Sequence, residues 1–192
     1  RLTMIAVAKH RLTKEYIHIE DVARGRWADA ECSDCGELLT AKKGNEVSWH
    51  FAHKGDSKCG GEGNLHRYAK EVLFTEKRLT MPHLPFVPNN KTWTQEFESV
   101  SLEVPLDKFK IDCIMTGEGK KKLAVEIVVG NPVEKIKRLM FKEKGLSAVE
   151  IYLTHLKHSI ISKEDLIQQI TNNPNNVKWI NSERYKWVDL KV

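Results

Sequence analysis

Long apolar runs and abundant cysteines are both missing from this sequence of 192 residues. No run approaches the roughly 20 consecutive apolar residues that a membrane-spanning helix needs, so we expect no membrane partner. The four cysteines make a poor disulfide framework, because three of them lie between residues 32 and 59 and Cys113 stands alone. Cysteines crowded beside histidines are typical of a metal cluster in a reducing compartment, which predicts a cytoplasmic location.

Internal repeats and low-complexity tracts are also absent. The composition, 41% hydrophobic and 30% charged residues, is that of an ordinary soluble globular protein. The 31 basic residues exceed the 26 acidic ones by five, a mild excess that fits a polyanionic ligand without requiring one. The length suits one full-sized catalytic domain with a small accessory module.

Short strand-like segments at the start of the chain give way to a longer mixture of helices and strands. Apolar and polar residues alternate over residues 2–31, and residues 38–53 have the pattern of a hairpin, which predicts a β-rich module over residues 1–60. Gly60-Gly61 then breaks the chain before a helix. The later predicted segments are strands at residues 94–104, 109–116, 123–129 and 149–153, and helices at residues 133–144 and 163–171.

These segments predict a mixed α/β (α+β) protein whose second domain, residues 61–192, has a core sheet flanked by helices. The run at residues 123–129 is apolar and β-branched, as is typical of a strand buried centrally in a sheet. In the helix at residues 133–144, the spacing puts one set of apolar residues on one side. These residues are Val133, Ile136, Leu139 and Met140.

Three cysteines and two histidines have the short spacings of metal ligands. Cys32 and Cys35 form a C-x2-C pair, which lets two thiolates from one turn reach a single tetrahedral ion. The other ligands must come from His50, His53 and Cys59, so five candidates are offered for four positions. In an extended strand His50 and His53 point to opposite faces, and the choice between them stays open. We predict a structural zinc ion; the alternative is free core cysteines and surface histidines.

Two acids on neighbouring predicted strands could meet at one place. Asp112 and Glu126 lie on either side of the turn at residues 117–120, and in a hairpin their side chains can be adjacent. A carboxylate inside the apolar run around Glu126 is costly to bury unless it is paired or binds a cation. Two carboxylates converging on Mg²⁺ or Mn²⁺ would allow metal-assisted phosphodiester hydrolysis.

A lysine that orients or activates the attacking water would complete such a site. Position 128, two residues after Glu126, is valine and cannot do this, so we predict that Lys135, early in the following helix, takes the role. The alternative is that Asp112 pairs with a nearby lysine and Glu126 with a helix lysine, as structural ion pairs.

A polar stripe opens the first predicted helix. Glu62, His66 and Lys70 fall at helical spacing, and the spacing alone favours a solvated helix face. The functional interpretation makes Glu62 an additional ligand of the catalytic metal.

Taken together, these motifs resemble the competence protein CoiA-like family. The elements that carry the resemblance in the first part of the chain are Cys32-Ser33-Asp34-Cys35, His50-Phe51-Ala52-His53, Cys59, and Glu62 with His66 and Lys70. Those in the second part are Lys110-Ile111-Asp112, Ala124-Val125-Glu126-Ile127, Lys135 and the strand Val149-Glu150-Ile151-Tyr152-Leu153. The resemblance implies a zinc-binding N-terminal module and a restriction-endonuclease-like core of the PD-(D/E)XK type.

The function implied by this resemblance is that of a metal-dependent DNA nuclease. It would take part in the processing or recombination of DNA, or in defence, with a catalytic Mg²⁺ or Mn²⁺ ion. The alternative is a catalytically inactive protein with the nuclease fold that binds nucleic acid or a protein partner of a recombination or defence system.

Overall fold

The computed structural model describes residues 4–85, 87 and 91–182. Residues 183–192, the end of the predicted second domain, lie outside this range. The architecture is the predicted mixture of helices and strands, with a β-rich N-terminal region followed by helices and further sheets. None of the three helices in the described parts of the chain has the length and apolar content that a bilayer crossing requires.

The N-terminal sheet has six strands, all paired antiparallel, in the order β1-β6-β5-β4-β2-β3. Its strands are β1 Met4–Ile5, β2 Val7–His10, β3 Tyr16–His18, β4 Gly25–Glu31, β5 Leu38–Lys42 and β6 His50–Ala52. Alternate residues of β5, Leu39 and Ala41, are buried against Phe51 in a small core of this sheet. The predicted hairpin at residues 38–53 is therefore confirmed as β5 and β6.

The second part of the chain begins with helix α1, Glu62–Glu76, followed by a two-stranded sheet. The remaining elements are β7 Arg78–Met81, β8 Trp93–Glu96, β9 Ser99–Leu106, β10 Phe109–Thr116, β11 Lys122–Val128, α2 Lys135–Glu143, β12 Ala148–Tyr152, α3 Lys163–Thr171 and β13 Val177–Asn181. The larger sheet has the order β13-β12-β11-β10-β9. Its β11 and β12 are parallel, with α2 as the crossover, and its other pairs are antiparallel.

Helix α1 packs against both sheets. Its buried Leu65, Ala69 and Leu73 belong to the same core cluster as Val7 of the N-terminal sheet and Val125 of the larger sheet. The helix predicted after Gly60-Gly61 is confirmed, and its buried residues recur at helical spacing. The opposite face of the larger sheet is covered by α2.

The prediction of which residues of α2 are buried is wrong in part. Ile136 and Leu139 are 56% and 54% exposed, whereas Met140 and Phe141 are buried against the sheet. The helix starts at Lys135 rather than at Val133, and its buried face is rotated towards Phe141. Residues one turn before Met140 and Phe141 therefore face the sheet, and Lys137 is among them.

Candidate metal centre and acidic site

Four of the five predicted zinc ligands come together beside the N-terminal sheet. The ligand atoms of Cys32, Cys35, His53 and Cys59, which we call the Cys/His cluster, all lie within 4.8 Å of one another. Cys32 follows β4, and the amide of Gly36 donates to the Cys32 carbonyl (2.8 Å), which closes the tight turn. Strand β6 ends at Ala52, so His53 leaves the ladder and can turn towards the cysteines.

The chemistry of the Cys/His cluster fits a zinc ion. Both ring nitrogens of His53 are buried without a hydrogen-bond partner, an arrangement that is costly unless a cation binds one of them. Burial, together with the neighbouring thiols of Cys32 and Cys35, raises the pKa of Cys59 to about 12 against the opposing hydrogen bond with the backbone of Gly61. A cation would remove this crowding of protonated thiols, because it stabilises the thiolates. Three sulfurs and one imidazole make a closed tetrahedral set, which is typical of structural zinc.

His50, the fifth predicted ligand, is not part of the Cys/His cluster. It is buried within β6, and its ring Nδ1 is 2.7 Å from the carbonyl of Ser48. The geometry therefore assigns the fourth position to His53. The sequence could not decide this, because the decision depends on where the strand ends.

The loop between Cys32 and Cys35 is hydrogen-bonded to the first turn of helix α1. Asn64 is buried, donates to the Cys32 sulfur (3.3 Å) and accepts from the amide of Ser33 (2.9 Å). Asp34 accepts from the amide of Gly63 (2.8 Å) and caps the first turn of the helix. Any side chain at Gly63 would collide with Asp34. The Cys/His cluster thus fixes the N-terminus of α1.

The acidic pair, Asp112 and Glu126, meets where the regular pairing of β10 and β11 stops. That pairing runs as far as Cys113 opposite Val125. One residue further, the Asp112 amide donates to Glu126 Oε2 (2.9 Å), and the amide of Ile127 donates to Asp112 Oδ2 (2.8 Å). Each carboxylate therefore binds the backbone of the opposite strand, which brings the two acids together.

Basic side chains from both helices contact the acidic pair. His66 of α1 lies 3.2 Å from Asp112 Oδ2, and Lys137 of α2 forms an ion pair with Glu126. Lys70, one turn after His66, is buried and pairs with Glu103 of β9. Glu103 has a left-handed backbone (φ 54°), which is uncommon for a residue with a side chain. The solvated-face interpretation of the α1 stripe is therefore wrong for Lys70.

The two acids of the pair have opposite pKa shifts. Burial alone would raise the pKa of Asp112, but the hydrogen bond and charge of His66, helped by the Ile127 amide and Lys137, lower it. Burial and the charge of Asp112 raise the pKa of Glu126 to about 7, against the opposing effect of Lys137. Glu126 is only 2% exposed. The charge of Lys137 partly offsets the repulsion between the two carboxylates.

Two further predicted site residues do not join the acidic pair. Glu62 forms an ion pair with Lys157 (2.9 Å) and lies over Gly130, beyond the end of β11. In the part of the chain that the structure describes, the one cluster of three or more metal-ligating side chains is the Cys/His cluster, so Glu62 does not complete such a cluster with the acidic pair. Lys135 is exposed at the start of α2, and among the described contacts its amine reaches neither acid. The amine that reaches Glu126 is that of Lys137.

Comparison with known families identifies the first part of the chain. Residues 23–62 match the family model described as Competence protein CoiA, N-terminal domain. Over these residues the chain is similar to the N-terminal domain of CoiA. The match confirms the predicted resemblance for the N-terminal part, and no curated protein and no solved structure matches the chain.

The CoiA match and the two candidate sites cover different parts of the molecule. All four residues of the Cys/His cluster lie inside the CoiA segment, and so do the loop residues that hold α1. Asp112 and Glu126 lie outside it, so their catalytic role stays a prediction. Sequence reasoning missed Lys137 and Glu103; the signal for Lys137 was its spacing of three and four residues from the buried Met140 and Phe141.

Proposed function

We propose that this CoiA-type chain is a metal-dependent DNA nuclease of the PD-(D/E)XK type, acting in DNA processing, recombination or defence. The observation that carries the proposal is the convergence of Asp112 and Glu126, each bound to the backbone of the other's strand. Buried carboxylates arranged in this way are oxygen ligands of the kind that Mg²⁺ or Mn²⁺ prefers.

The order of the elements around the acidic pair supports the same proposal. Helix α1 precedes the antiparallel strands β9, β10 and β11, and α2 then crosses over to the parallel strand β12. The two acids lie on the adjacent central strands β10 and β11, and the two helices bring His66 and Lys137 to them. This order of elements supports the proposal of a restriction-endonuclease-like core for the second part of the chain.

The chain's own residues divide the chemistry between them. A divalent ion held by Asp112 and Glu126 would supply charge stabilisation at the scissile phosphate and acidify a bound water. Lys137, whose ammonium pairs with Glu126, would orient that water in place of the lysine that position 128 lacks. His66 holds the Asp112 carboxylate and keeps it ionised, which its lowered pKa reflects. Lys137 therefore takes the role that the sequence suggested for Lys135.

A second candidate function is an inactive nuclease fold that binds nucleic acid or a protein partner. The ion pair between Lys137 and Glu126, together with Val128, favours it, because an ammonium group on the carboxylate can replace the metal as the compensating charge. In that case the acidic pair is a structural feature of the sheet.

A cleavage assay with matched acid variants decides between the two functions. Zinc-loaded protein is incubated with plasmid and single-stranded DNA in Mg²⁺ or Mn²⁺, without chelator. We expect cleavage by the wild type and a loss of about 10²-fold or more in Glu126→Gln and Asp112→Asn. The control is Glu150→Gln. Glu150 lies on the neighbouring strand β12, and its buried carboxylate pairs with Arg138 of α2. If the wild type leaves the DNA intact in both Mg²⁺ and Mn²⁺, the proposal of a nuclease is rejected.

A further inference from the structure

We infer that the outer face of the N-terminal sheet binds a single strand of nucleic acid, with Trp27 stacking on a base. This surface lies in the CoiA segment, away from the acidic pair in sequence and on a different sheet. The inference goes beyond the nuclease proposal, because it concerns binding and holds whether or not the protein cleaves DNA.

Two adjoining depressions form a groove across strands β4, β5 and β6. Their volumes are about 570 and 460 Å³, and both are lined by Thr40 and Lys42 of β5. Residues that alternate with Thr40 and Lys42, namely Leu39 and Ala41, are buried in the sheet's core, so the groove lies on the opposite, solvent-facing side. We call the set Arg24, Arg26, Thr40, Lys42 and Lys54 the basic groove.

The charge of this surface is positive and largely unneutralised. The residues lining the two depressions include five basic and two acidic side chains. Among the residues that the structure describes, Arg24, Arg26, Lys42 and Lys54 form no ion pair. Four unpaired cations in one groove repel each other, and a row of phosphates would relieve that repulsion.

Two tryptophans lie next to residues that line the groove. Trp27, directly after Arg26, is 87% exposed on β4, where the pairing with β5 shifts register between Gly25 and Ala30. Trp49, at the hairpin end of the groove, has one ring face covered by Lys43 at 4.3 Å. An aromatic ring beside cationic side chains suits a strand whose bases are free to stack.

The occupant that fits both features is a single strand rather than a duplex. In a duplex the faces of the bases are stacked on each other, so no base would be free to stack on the indole ring of Trp27. The groove could then contact only the phosphates. A groove spanning three strands is about 10 Å across, which suits one chain of nucleotides. Such sites combine a cationic track with aromatic platforms and have little sequence preference.

Fluorescence anisotropy with a labelled oligothymidylate of about 16 nucleotides, the upper end of one small module's footprint, tests the inference. All variants carry Glu126→Gln, so that cleavage plays no part, and zinc is retained. Trp27→Ala should weaken binding about five- to a hundredfold, and Trp27→Phe should keep most of the affinity. Arg26→Ala with Lys42→Ala should reduce the slope of log affinity against log salt by about 1.4, at about 0.7 for each lost phosphate contact.

A matched double variant serves as the control. Lys120→Ala with Lys122→Ala removes the same charge from the turn between β10 and β11 and from the first residue of β11, and it should change affinity less than the groove variant. Equal affinity for oligouridylate supports the same surface, whereas tighter binding of a duplex overturns the inference. Unchanged affinity in Trp27→Ala, or equal losses in both double variants, also overturns it, and circular dichroism and zinc content check that each variant is folded.

Discussion

Lys137 is the residue on which the enzymatic proposal makes its sharpest prediction. Its ammonium contacts Glu126 and the carbonyl of Lys110 (2.8 Å), whereas Lys135 is exposed. If Lys137 orients the attacking water, Lys137→Ala should lower the cleavage rate about 10²- to 10⁴-fold. The measurement is single-turnover cleavage in saturating Mg²⁺.

Lys135→Ala is the matched control, since it removes the same charge from the same helix, and it should cleave nearly as fast as the wild type. A larger loss in Lys135→Ala than in Lys137→Ala would return the catalytic role to Lys135 and contradict the assignment made from the geometry.

His18 gives a prediction about pH. It is buried, its Nε2 faces the carbonyl of Ile161 (2.9 Å), and its Nδ1 accepts from the amide of Glu20 (3.1 Å). This arrangement holds the neutral ring, and burial is the main cause of its lowered pKa. The unfolded chain therefore binds the proton first, near the ordinary value of 6.5, so stability is lost as pH falls below that value.

The thermal midpoint measured between mildly acidic and neutral pH tests this expectation. His18→Gln should flatten the dependence relative to the wild type, and the exposed His158→Gln should keep it. Because the Cys/His cluster also releases metal in acid, the difference between the variants at one zinc concentration is the informative quantity. Parallel curves for the wild type and His18→Gln would refute the role of His18.

Single residues differ in how far the sequence could predict them. Cys32 and Cys35 were predictable because two ligands on one turn need only local spacing. Asp112 and Glu126 were predictable as neighbours because a short turn fixes the register of a hairpin. Glu103 was not, since its contact with Lys70 joins a strand to a helix that is distant in sequence.

Among the elements, α1 connects the two sites, because the cysteine loop holds its first turn and its second turn carries His66, which contacts Asp112. Asn64, in the first turn, donates to Cys32. Asn64→Ala should weaken zinc binding about 10- to 100-fold, as expected for the loss of a hydrogen bond to a metal ligand. Competition with a chromophoric chelator measures this affinity directly and does not depend on nuclease activity.

Asn176→Ala is the control for this prediction. Asn176 is also buried and bonds the Gln169 carbonyl (2.9 Å), but it lies after α3 and touches no residue of the Cys/His cluster. Its loss should lower stability and leave zinc affinity unchanged. Equal zinc affinities in Asn64→Ala and the wild type would mean that the contact with Cys32 does not support the metal.

Elements also differ in how well local patterns predict them. Strands β10 and β11 and helix α1 follow their predicted segments because turn residues and apolar spacing are local signals. The order β1-β6-β5-β4-β2-β3 had no such signal, since β1 and β6 pair across more than forty residues. The buried side of α2 was mispredicted for a related reason. Ile136 and Leu139 have the spacing of a core stripe, and only the position of the sheet selects Phe141 instead.

For the molecule as a whole, the predicted boundary between residues 60 and 61 has yet to be tested. One core cluster contains Ala6 and Val7 from the N-terminal part, Leu65 from α1 and Ile127 from β11. Because shared buried surface couples the parts that form it, we predict that the two sheets unfold together. Hydrogen exchange should then give the same opening free energy for Leu39 in β5 and for Ile127.

Leu65→Ala makes this prediction discriminating, since Leu65 contributes to the shared cluster rather than to the small core of either sheet alone. Removing its side chain should lower the opening free energy at both positions by about 2–5 kcal/mol. If β5 instead opens at a lower free energy than β11, and Leu65→Ala affects only β11, then the N-terminal sheet is an independent domain. The Cys/His cluster would in that case stabilise its own sheet without holding α1 against the acidic pair.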